Sequence, residues 1–310
     1  EHMKQNGVYD ENTSRGYLLQ LMDTTPTAAN VVEYIGILKE NKPLCRLMVA
    51  GAGCKLALAI ATNGTVLCML YGSMMGNYNG LYLPMMIAGY VFSAPFFVLT
   101  VRTSQKQGQK ASLMRYVALA LVMYVGVTAL LLFWKPGEAG VNLSLTNINV
   151  YTILFILFFG IGYGAYYATA DMPIPMVADC SDYETYRSGK YIPGVMGTLF
   201  SLVDKLVSSL SSTVVGLAVA SIGLSTLPGG DTPYTEGMKT IVLVLFCVIP
   251  MIAWALTLWA MKGYSLTGER MKEIQAVNAV RRDAIAKGMS MEEALKTWTT
   301  IDQVPEEFLN

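Results

Sequence analysis

Histidine and charged residues are scarce in this sequence of 310 residues. It has one histidine, His2, and 14% of its residues are charged, whereas about 25% is usual for a soluble domain. Its five cysteines, at positions 45, 54, 68, 180 and 247, form no Cys-x-x-Cys pair. These shortages argue against a metal centre, a Ser/His pair or a thiol-redox site. We therefore expect a protein that is not an enzyme and has no cofactor.

An excess of positive charge is also missing. The 22 basic and 22 acidic residues balance, so no basic field points to nucleic acid. Hydrophobic residues make up 53% of the chain, and the mean hydropathy is +0.43. The charges crowd into segments 1–46 and 262–310 and two loops. This distribution is typical of a polytopic membrane protein with polar ends.

Six apolar segments reach about 20 residues, the length that crosses a bilayer. They are approximately Leu47–Tyr71, Leu81–Val101, Leu113–Trp134, Tyr151–Met176, Gly194–Ile222 and Thr240–Met261. The sequence thus predicts an all-α membrane protein with a bundle of six transmembrane helices over residues 47–263. Residues 1–46 precede the bundle, and residues 264–310 form a soluble helical tail.

Basic residues in the short loops predict the orientation. Loop 102–112 carries Arg102, Lys106 and Lys110, whereas loop 72–80 has no charge. Loops 135–150 and 223–239 each contain a single lysine. Both ends are therefore expected in the cytoplasm. The chain is expected in the plasma membrane, which would be the inner membrane of a bacterium.

Three polar stretches near the ends have helical patterns. Thr27–Leu38 is a candidate amphipathic helix, and Gly268–Arg282 is a candidate tail helix. Ser290, followed three residues later by Glu293, is a capping-box pattern that would start another helix. The chain begins with Glu1 rather than Met and has no signal-peptide pattern. From this start we expect a piece of a longer protein.

The fifth apolar segment contains a lysine, Lys205, although a central charge in a membrane helix costs roughly 2.5–3.5 kcal/mol. At helical spacing a polar stripe surrounds this lysine, with Asp204 at its edge. The stripe consists of Thr198, Ser201, Lys205, Ser208, Ser209 and Ser212. Such a face suits a water-filled cavity and a polyhydroxylated ligand. Alternatively, Lys205 forms a structural ion pair with Asp204 or another helix, or a pair that breaks during transport.

The fourth segment is rich in aromatic residues and glycine. Its glycines allow close helix approach, and its rings, including Tyr167, are suited either to stacking on a sugar or to core packing. Asp171 follows, before Pro173 and Pro175. Two prolines there would interrupt the helix and leave carbonyl oxygens free. Lys55, in the first segment, is open to two interpretations: snorkelling to the surface or lining a cavity with Thr62 and Asn63.

The loop Asp179–Gly194 mixes acids with bases and leads into the Lys205 helix. Its charges can bridge to neighbouring loops and close the inner side, or they can form an ordinary solvated loop. From Asp179-x-x-Asp182-Tyr183-Glu184 through Ser188-Gly189-Lys190 and Gly194 to Lys205, it resembles the glycoside–pentoside–hexuronide:cation symporters. These are sugar transporters of the major facilitator superfamily. The entry Asn41-Lys42-Pro43-Leu44 and the exit Tyr264-Ser265-Leu266-Thr267 resemble that family too.

The resemblance implies a fold of twelve helices in two halves of six. This chain would be the C-terminal half, preceded by a remnant of the central cytoplasmic loop. Lys205 would contribute to the sugar and cation sites, and Ser201 and Asp204 would face the sugar. Asp179, Asp182 and Tyr183 would belong to a cytoplasmic gate, together with Arg187.

Two departures from the family pattern leave the sugar open. Tyr191, Ile192 and Pro193 follow Gly189-Lys190 where an Arg and a Glu are common in the family. Ala170 stands where a sugar-stacking Trp occurs in one member. The coupling cation, H⁺ or Na⁺, is left open as well, because the family's cation carboxylates lie mostly in the N-terminal half.

The sequence therefore predicts a secondary active transporter for sugars or glycosides with a coupling cation. It would work by alternating access, in a lipid bilayer, together with an N-terminal six-helix half. Expected substrate-binding residues are Lys205, Ser201, Asp204, Thr198, Tyr167 and Asp171. Two alternatives stay open: a six-helix homodimeric transporter or channel, and a non-transporting membrane sensor or scaffold.

Overall fold

Helices make up the regular structure of the protein in its computed structural model. The structure describes residue 36 and residues 39–308. In these residues every regular element is helical, which confirms the predicted all-α class. The helices are α1 Lys42–Ala61, α2 Gly64–Met74, α3 Tyr78–Gln107, α4 Gln109–Phe133, α5 Val150–Tyr167, α6 Pro173–Ser188, α7 Pro193–Ser221, α8 Met238–Lys262, α9 Gly268–Ala286 and α10 Met291–Thr297. The predicted helix Thr27–Leu38 lies, apart from Gly36, outside the described residues.

Six of the helices are long and apolar enough to cross a membrane. They are α1, α3, α4, α5, α7 and α8, with lengths from 18 to 30 residues. Each corresponds to one of the six apolar segments found in the sequence. The predicted six-helix membrane bundle is therefore confirmed in the described part of the chain.

Two predicted spans are wrong in extent. The first does not continue to Tyr71, because α1 ends at Ala61 and α2 begins at Gly64. The fourth does not reach Met176, because α5 ends at Tyr167 and a turn leads to α6. Pro173 opens α6, where its missing N–H has no helical partner to lose.

The charged segment predicted to be a loop is mainly a helix. α6 continues to Ser188, and residues 189–192 alone connect it to α7. Gly189 has a φ of +74°, a left-handed value that glycine adopts readily after a helix. Charge did not prevent the helix, since Arg187 pairs with Glu184 one turn back.

The chain divides into two compact units, of which the larger holds residues 46–176 and 203–268. In this membrane unit α3, α4 and α5 pack on one another, and α8 packs on α4. Glycines permit the close approach that the sequence predicted: a Cβ on Gly160 would lie 2.6 Å from the Phe92 ring. The core contains the buried rings of Tyr124, Tyr166 and Trp254, with centroids 4.8–5.9 Å apart.

The smaller unit consists, in its described part, of residues 39–45, 177–202 and 269–308. Its core is formed by Ala276, Val277, Val280 and Val304, against which Tyr186 of α6 and Trp298 pack. The tail is helical, as predicted, and Ser290 caps α10 by accepting the Glu293 N–H. Tail and α6 thus form one folded unit.

Candidate functional site: an ion pair between two membrane spans

An ion pair joins α1 to α7 within the membrane unit. Lys55 Nζ lies 3.3 Å from Asp204 Oδ1, and the two side chains are 32% and 37% exposed. At a rise of 1.5 Å per residue, Lys55 lies about 20 Å along α1 and Asp204 about 17 Å along α7. Asp204 is therefore far from either end of α7, and Lys55 lies about 9 Å before α1 ends at Ala61. Charges at such depths in membrane helices are rare and often functional.

Lys205 is the neighbour of this pair but does not share in it. Its side chain is exposed, and it has no ion pair or hydrogen bond with the described residues. The possible pairing of Lys205 with Asp204 is thus not observed, because Asp204 faces Lys55. Lys55, which the sequence left between snorkelling and a cavity, reaches across to α7 instead.

Helix α7 is mostly exposed in this chain. Only 17% of its most apolar stretch is buried, compared with 50% for α1 and α8, and Leu202, Leu206 and Leu210, opposite the polar stripe, are 52–59% exposed. Most of its surface is therefore free to meet water, lipid or protein. By helical period Thr198, Ser201 and Lys205 share a side, and all three are exposed. The Thr198 hydroxyl donates to the Gly194 carbonyl oxygen at 2.9 Å.

Close to the ion pair, the first span is interrupted. Thr62 and Asn63 lie between α1 and α2, and the Asn63 Oδ1 accepts the Thr65 N–H at 3.0 Å. In a continuous helix that N–H would bond to the carbonyl of Ala61. Interrupted membrane helices are tolerated where they are buried in protein or line a polar cavity, and they form the binding sites of many transporters. The break begins seven residues beyond Lys55, or about 10 Å along the helix.

Tyr167 and Asp171 lie elsewhere in the membrane unit. Tyr167 stacks on Tyr163, with ring centroids 5.4 Å apart, and meets Tyr90 edge-on. Asp171 is exposed in the turn after α5, and it lines a cavity of about 350 Å³ with Phe97 and Thr100. Lys205 does not line this cavity. The structure therefore places Tyr167 among the rings of Tyr163 and Tyr90, and it places Asp171 at the end of the α5 span.

In α6, a buried carboxylate organises the charges. Glu184 is 1% exposed and accepts three side-chain hydrogen bonds. The donors are Arg187 at 2.7 Å, Ser188 at 2.9 Å and Asn41 at 3.1 Å. Arg187 also reaches Glu40 at 2.5 Å. These hydrogen bonds join α6 to the segment that precedes α1.

The other residues predicted for the gate are half-buried on α6. Burial and the charge of Asp182 raise the pKa of Asp179 to about 6. Neither Asp179 nor Asp182 forms an ion pair with a described residue. The partners of Arg187 are Glu184 and Glu40. The side chain of Tyr183 is likewise half-buried. The gate role of these four residues stays a prediction.

Two arginines of the tail lie against one aromatic ring of α6. The guanidinium groups of Arg270 and Arg281 lie 5.2 and 5.3 Å from the Tyr186 ring centroid, within the range of cation–π attraction. The Tyr186 hydroxyl donates to the Thr299 carbonyl at 2.6 Å. Arg281, which is 5% exposed, donates to the backbone carbonyls of Tyr186 and Trp298.

Sequence reasoning did not select Glu184, Tyr186 or Arg281, and it left Lys55 between snorkelling and lining a cavity. For Lys55 a signal existed, since it is the lone charge of an apolar segment. Glu184 was one acid among several, and nothing in the sequence distinguishes the buried one. The contacts of Arg281 join residues about 95 positions apart, and no local pattern reveals them.

A comparison with protein families decides the class. A family model described as "MFS/sugar transport protein" matches residues 20–268, more than half of the chain. The chain belongs to this family. Two relatives are similar to this MFS sugar transport protein.

The first relative is the "Uncharacterized 29.9 kDa protein in crtE 3'region" of Pseudescherichia vulneris. It is 25% identical over 207 residues, which cover 67% of this chain and 68% of that protein. The second is the "Putative glycoside/cation symporter YagG" of Escherichia coli (strain K12). It is 25% identical over 154 residues, which cover 50% of this chain and 30% of that protein. The chain thus matches less than a third of the length of the second relative. Family membership makes the protein a multi-pass membrane transporter and not an enzyme.

Proposed function

We propose that this chain is the C-terminal half of a sugar:cation symporter. The sugar would be a glycoside, pentoside or hexuronide, and the other half would supply six more helices. The observation that carries the proposal is the ion pair of Lys55 with Asp204 beside Lys205, which has no partner among the described residues, on a helix that is mostly exposed in this chain. An unpaired ammonium group in a membrane helix needs a polar partner.

The missing partner would be the transported sugar. Lys205, Ser201 and Thr198 offer an ammonium group and two hydroxyls, which suit the directed hydrogen bonds of sugar hydroxyls. Asp204 would receive the coupling cation or a sugar hydroxyl whenever its bond to Lys55 opens. The broken span at Thr62 and Asn63 would add polar groups to the same mid-membrane region.

Transport would follow from alternating access. The two halves would rock around the site, and sugar and cation would each favour a conformation that the other also favours. A downhill cation gradient would then drive uptake of the sugar. Both ends of this chain would lie in the cytoplasm of a bacterium, because basic residues concentrate on that side.

Replacement of Lys205 by Ala in the complete transporter tests the proposal. We expect concentrative uptake of labelled sugar to be lost while the amount of protein in the membrane is unchanged. Lys135→Ala is the matched control, because Lys135 is an exposed lysine paired with Glu138 in a connecting segment. Unchanged accumulation by the Lys205→Ala protein would refute the assignment. Uptake by vesicles that contain this chain alone would favour a homodimer.

A further inference from the structure

A cavity in the smaller unit lies between α6 and the tail. Its volume is about 350 Å³, within the size range of small-molecule sites. Asp182 and Thr185 of α6 line one side, and Gln275, Asn278 and Arg282 of α9 line the other. The α9 residues follow the spacing i, i+3, i+7, so they share one face of that helix.

A buried amide oxygen in this cavity wall has no partner. Asn278 is 6% exposed, and its Nδ2 donates to the Asp182 carbonyl oxygen at 2.9 Å. That carbonyl can only accept, so the orientation of the amide is fixed and Oδ1 is the atom left over. Oδ1 has no hydrogen-bond partner among the described residues and is closed off from solvent, so it lies behind the cavity wall and a ligand in the cavity does not reach it.

Two opposite charges lie at the same cavity. The carboxylate of Asp182 and the guanidinium of Arg282 line it, and neither forms an ion pair with the described residues. The lining therefore has an unpaired cation and an unpaired acceptor carboxylate. Arg282 suits an anionic group, bound through two parallel hydrogen bonds. Asp182 suits hydroxyl donors.

We propose that this cavity binds a small polyhydroxylated anion, in which the anionic group meets Arg282 and a hydroxyl meets Asp182. Phosphorylated sugars and sugar acids both have this chemistry. The choice of a sugar derivative rests on the proposed sugar transport. A bound ligand would bridge α6 to α9 and so hold the tail against the helix that carries the predicted gate residues.

Titration of the purified chain in detergent with glucose 6-phosphate tests the site. We expect saturable binding by calorimetry, with Arg282→Gln weakening it about tenfold or more, the usual effect of losing a charge-assisted hydrogen bond. Lys287→Gln is the matched control, because Lys287 is an exposed tail cation that pairs with Asp283 and does not line the cavity.

Titrations with other ligands show which anionic group the cavity binds and whether the hydroxyls contribute. Glucuronate tests a carboxylate as the anionic group, whereas neutral glucose should not bind at the cavity. Equal binding of inorganic phosphate and glucose 6-phosphate would overturn the proposal, since the hydroxyls would then contribute nothing. So would binding that Arg282→Gln leaves unchanged, or no binding of either sugar anion. Thermal melting of Arg282→Gln checks that the exposed substitution leaves the fold intact.

The two proposals fail in different ways. Lys205→Ala should abolish uptake but keep glucose 6-phosphate binding, whereas Arg282→Gln should lose the binding. If the protein shows no sugar uptake but binds glucose 6-phosphate with this dependence on Arg282, the cavity proposal stands without the transport proposal.

Discussion

Lys55 and Asp204 form an ion pair between the first and fifth membrane spans, with 3.3 Å between Nζ and Oδ1. Each side chain is about one-third exposed in this chain, so water or a ligand can reach the pair. Neutralising one partner would leave the other charge unpaired inside the bundle, which is more destabilising than removing both.

Charge exchange separates a structural role of this pair from a functional one. We expect Asp204→Asn and Lys55→Gln each to reduce concentrative uptake at least about tenfold, equivalent to 1.4 kcal/mol. The double exchange Lys55→Asp with Asp204→Lys should restore folding by size-exclusion chromatography but not uptake, because the carboxylate has moved to α1. Full recovery of uptake in the exchanged protein would make the pair structural.

Cysteine labelling checks the orientation. Ser144 lies between α4 and α5, and Ser104 lies in the last turn of α3. In a background without the five native cysteines, a membrane-impermeant maleimide should label Ser144→Cys in intact cells, and Ser104→Cys only after the membrane is opened. The reverse pattern would place both ends of this chain outside the cytoplasm.

Gly53 is the point of closest approach between α1 and α8. A Cβ there would lie 2.4 Å from the Thr257 hydroxyl oxygen and 2.5 Å from the Ala253 carbonyl oxygen. We expect Gly53→Ala to destabilise the chain by about 1–3 kcal/mol, the usual cost of overpacking, and to lower its melting temperature in detergent. Gly216→Ala serves as the control, because nothing lies within 4 Å of the Cβ it would add. Equal melting of both variants would contradict the helix contact.

Asp179 should make stability depend on pH. Burial and Asp182 raise its pKa from 3.8 to about 6, so between pH 4 and 6 the folded chain binds more protons than the unfolded one. Its contribution to stability is therefore present below pH 4 and is lost as the pH rises to 6. Because the group is half-buried and its charge is partly screened, we expect an effect on the order of 1 kcal/mol.

Melting curves of the chain and its Asp179→Asn variant from pH 4 to 8 measure this effect. The difference between them should change from pH 4 through about pH 7 and be constant above that. Glu184 and Arg187 of α6 are present in both proteins, and the repulsion between Asp179 and Asp182 is part of the effect that is measured. Asp302→Asn, at an exposed acid of the tail, should give a flat difference. A flat difference for Asp179→Asn would exclude the raised pKa.

Tyr186 should decide whether the tail stays docked on α6. Tyr186→Ala removes the ring between Arg270 and Arg281, and we expect a loss of about 3 kcal/mol, typical of truncating a packed aromatic side chain. Tyr186→Phe should lose about 1 kcal/mol, because only the hydrogen bond to Thr299 disappears.

Hydrogen exchange of the tail amides measures this docking. Faster exchange over α9 and α10 is expected in Tyr186→Ala and not in Tyr191→Ala, which removes a ring that is 69% exposed. Unchanged exchange in Tyr186→Ala would show that the tail is held by other contacts.

The six spans could be predicted from the sequence because apolar runs of this length have few other uses. The tail helix α10 could also be predicted, since its Ser290 cap is a local signal. The extent of the spans could not. Hydropathy stays high through Thr62 and Asn63, so the break, which depends on one side chain accepting the Thr65 N–H, has no hydropathy signature.

The candidate site was predicted only in part. The polar stripe of α7 identified Lys205 and Asp204, because helical period is local. The partner of Asp204 was not found, since Lys55 is 149 residues away and several acids were available to it. Similarly, the charges of Asp179–Gly194 were interpreted as a loop, either bridging to neighbouring loops or solvated, whereas the helix α6 continues to Ser188 and contains the pair of Arg187 with buried Glu184.

The gap between α1 and α2 has a mechanical consequence. Its backbone ladder is open at Thr65, whose N–H bonds to the Asn63 side chain, so α1 and α2 can pivot against each other without giving up the hydrogen bond between Ala61 and Thr65 that an unbroken helix would have. Bending there costs less than kinking a regular stretch of the same segment. A movement that begins at Lys55 can therefore be absorbed at the gap, about two turns further along, instead of being transmitted into α2.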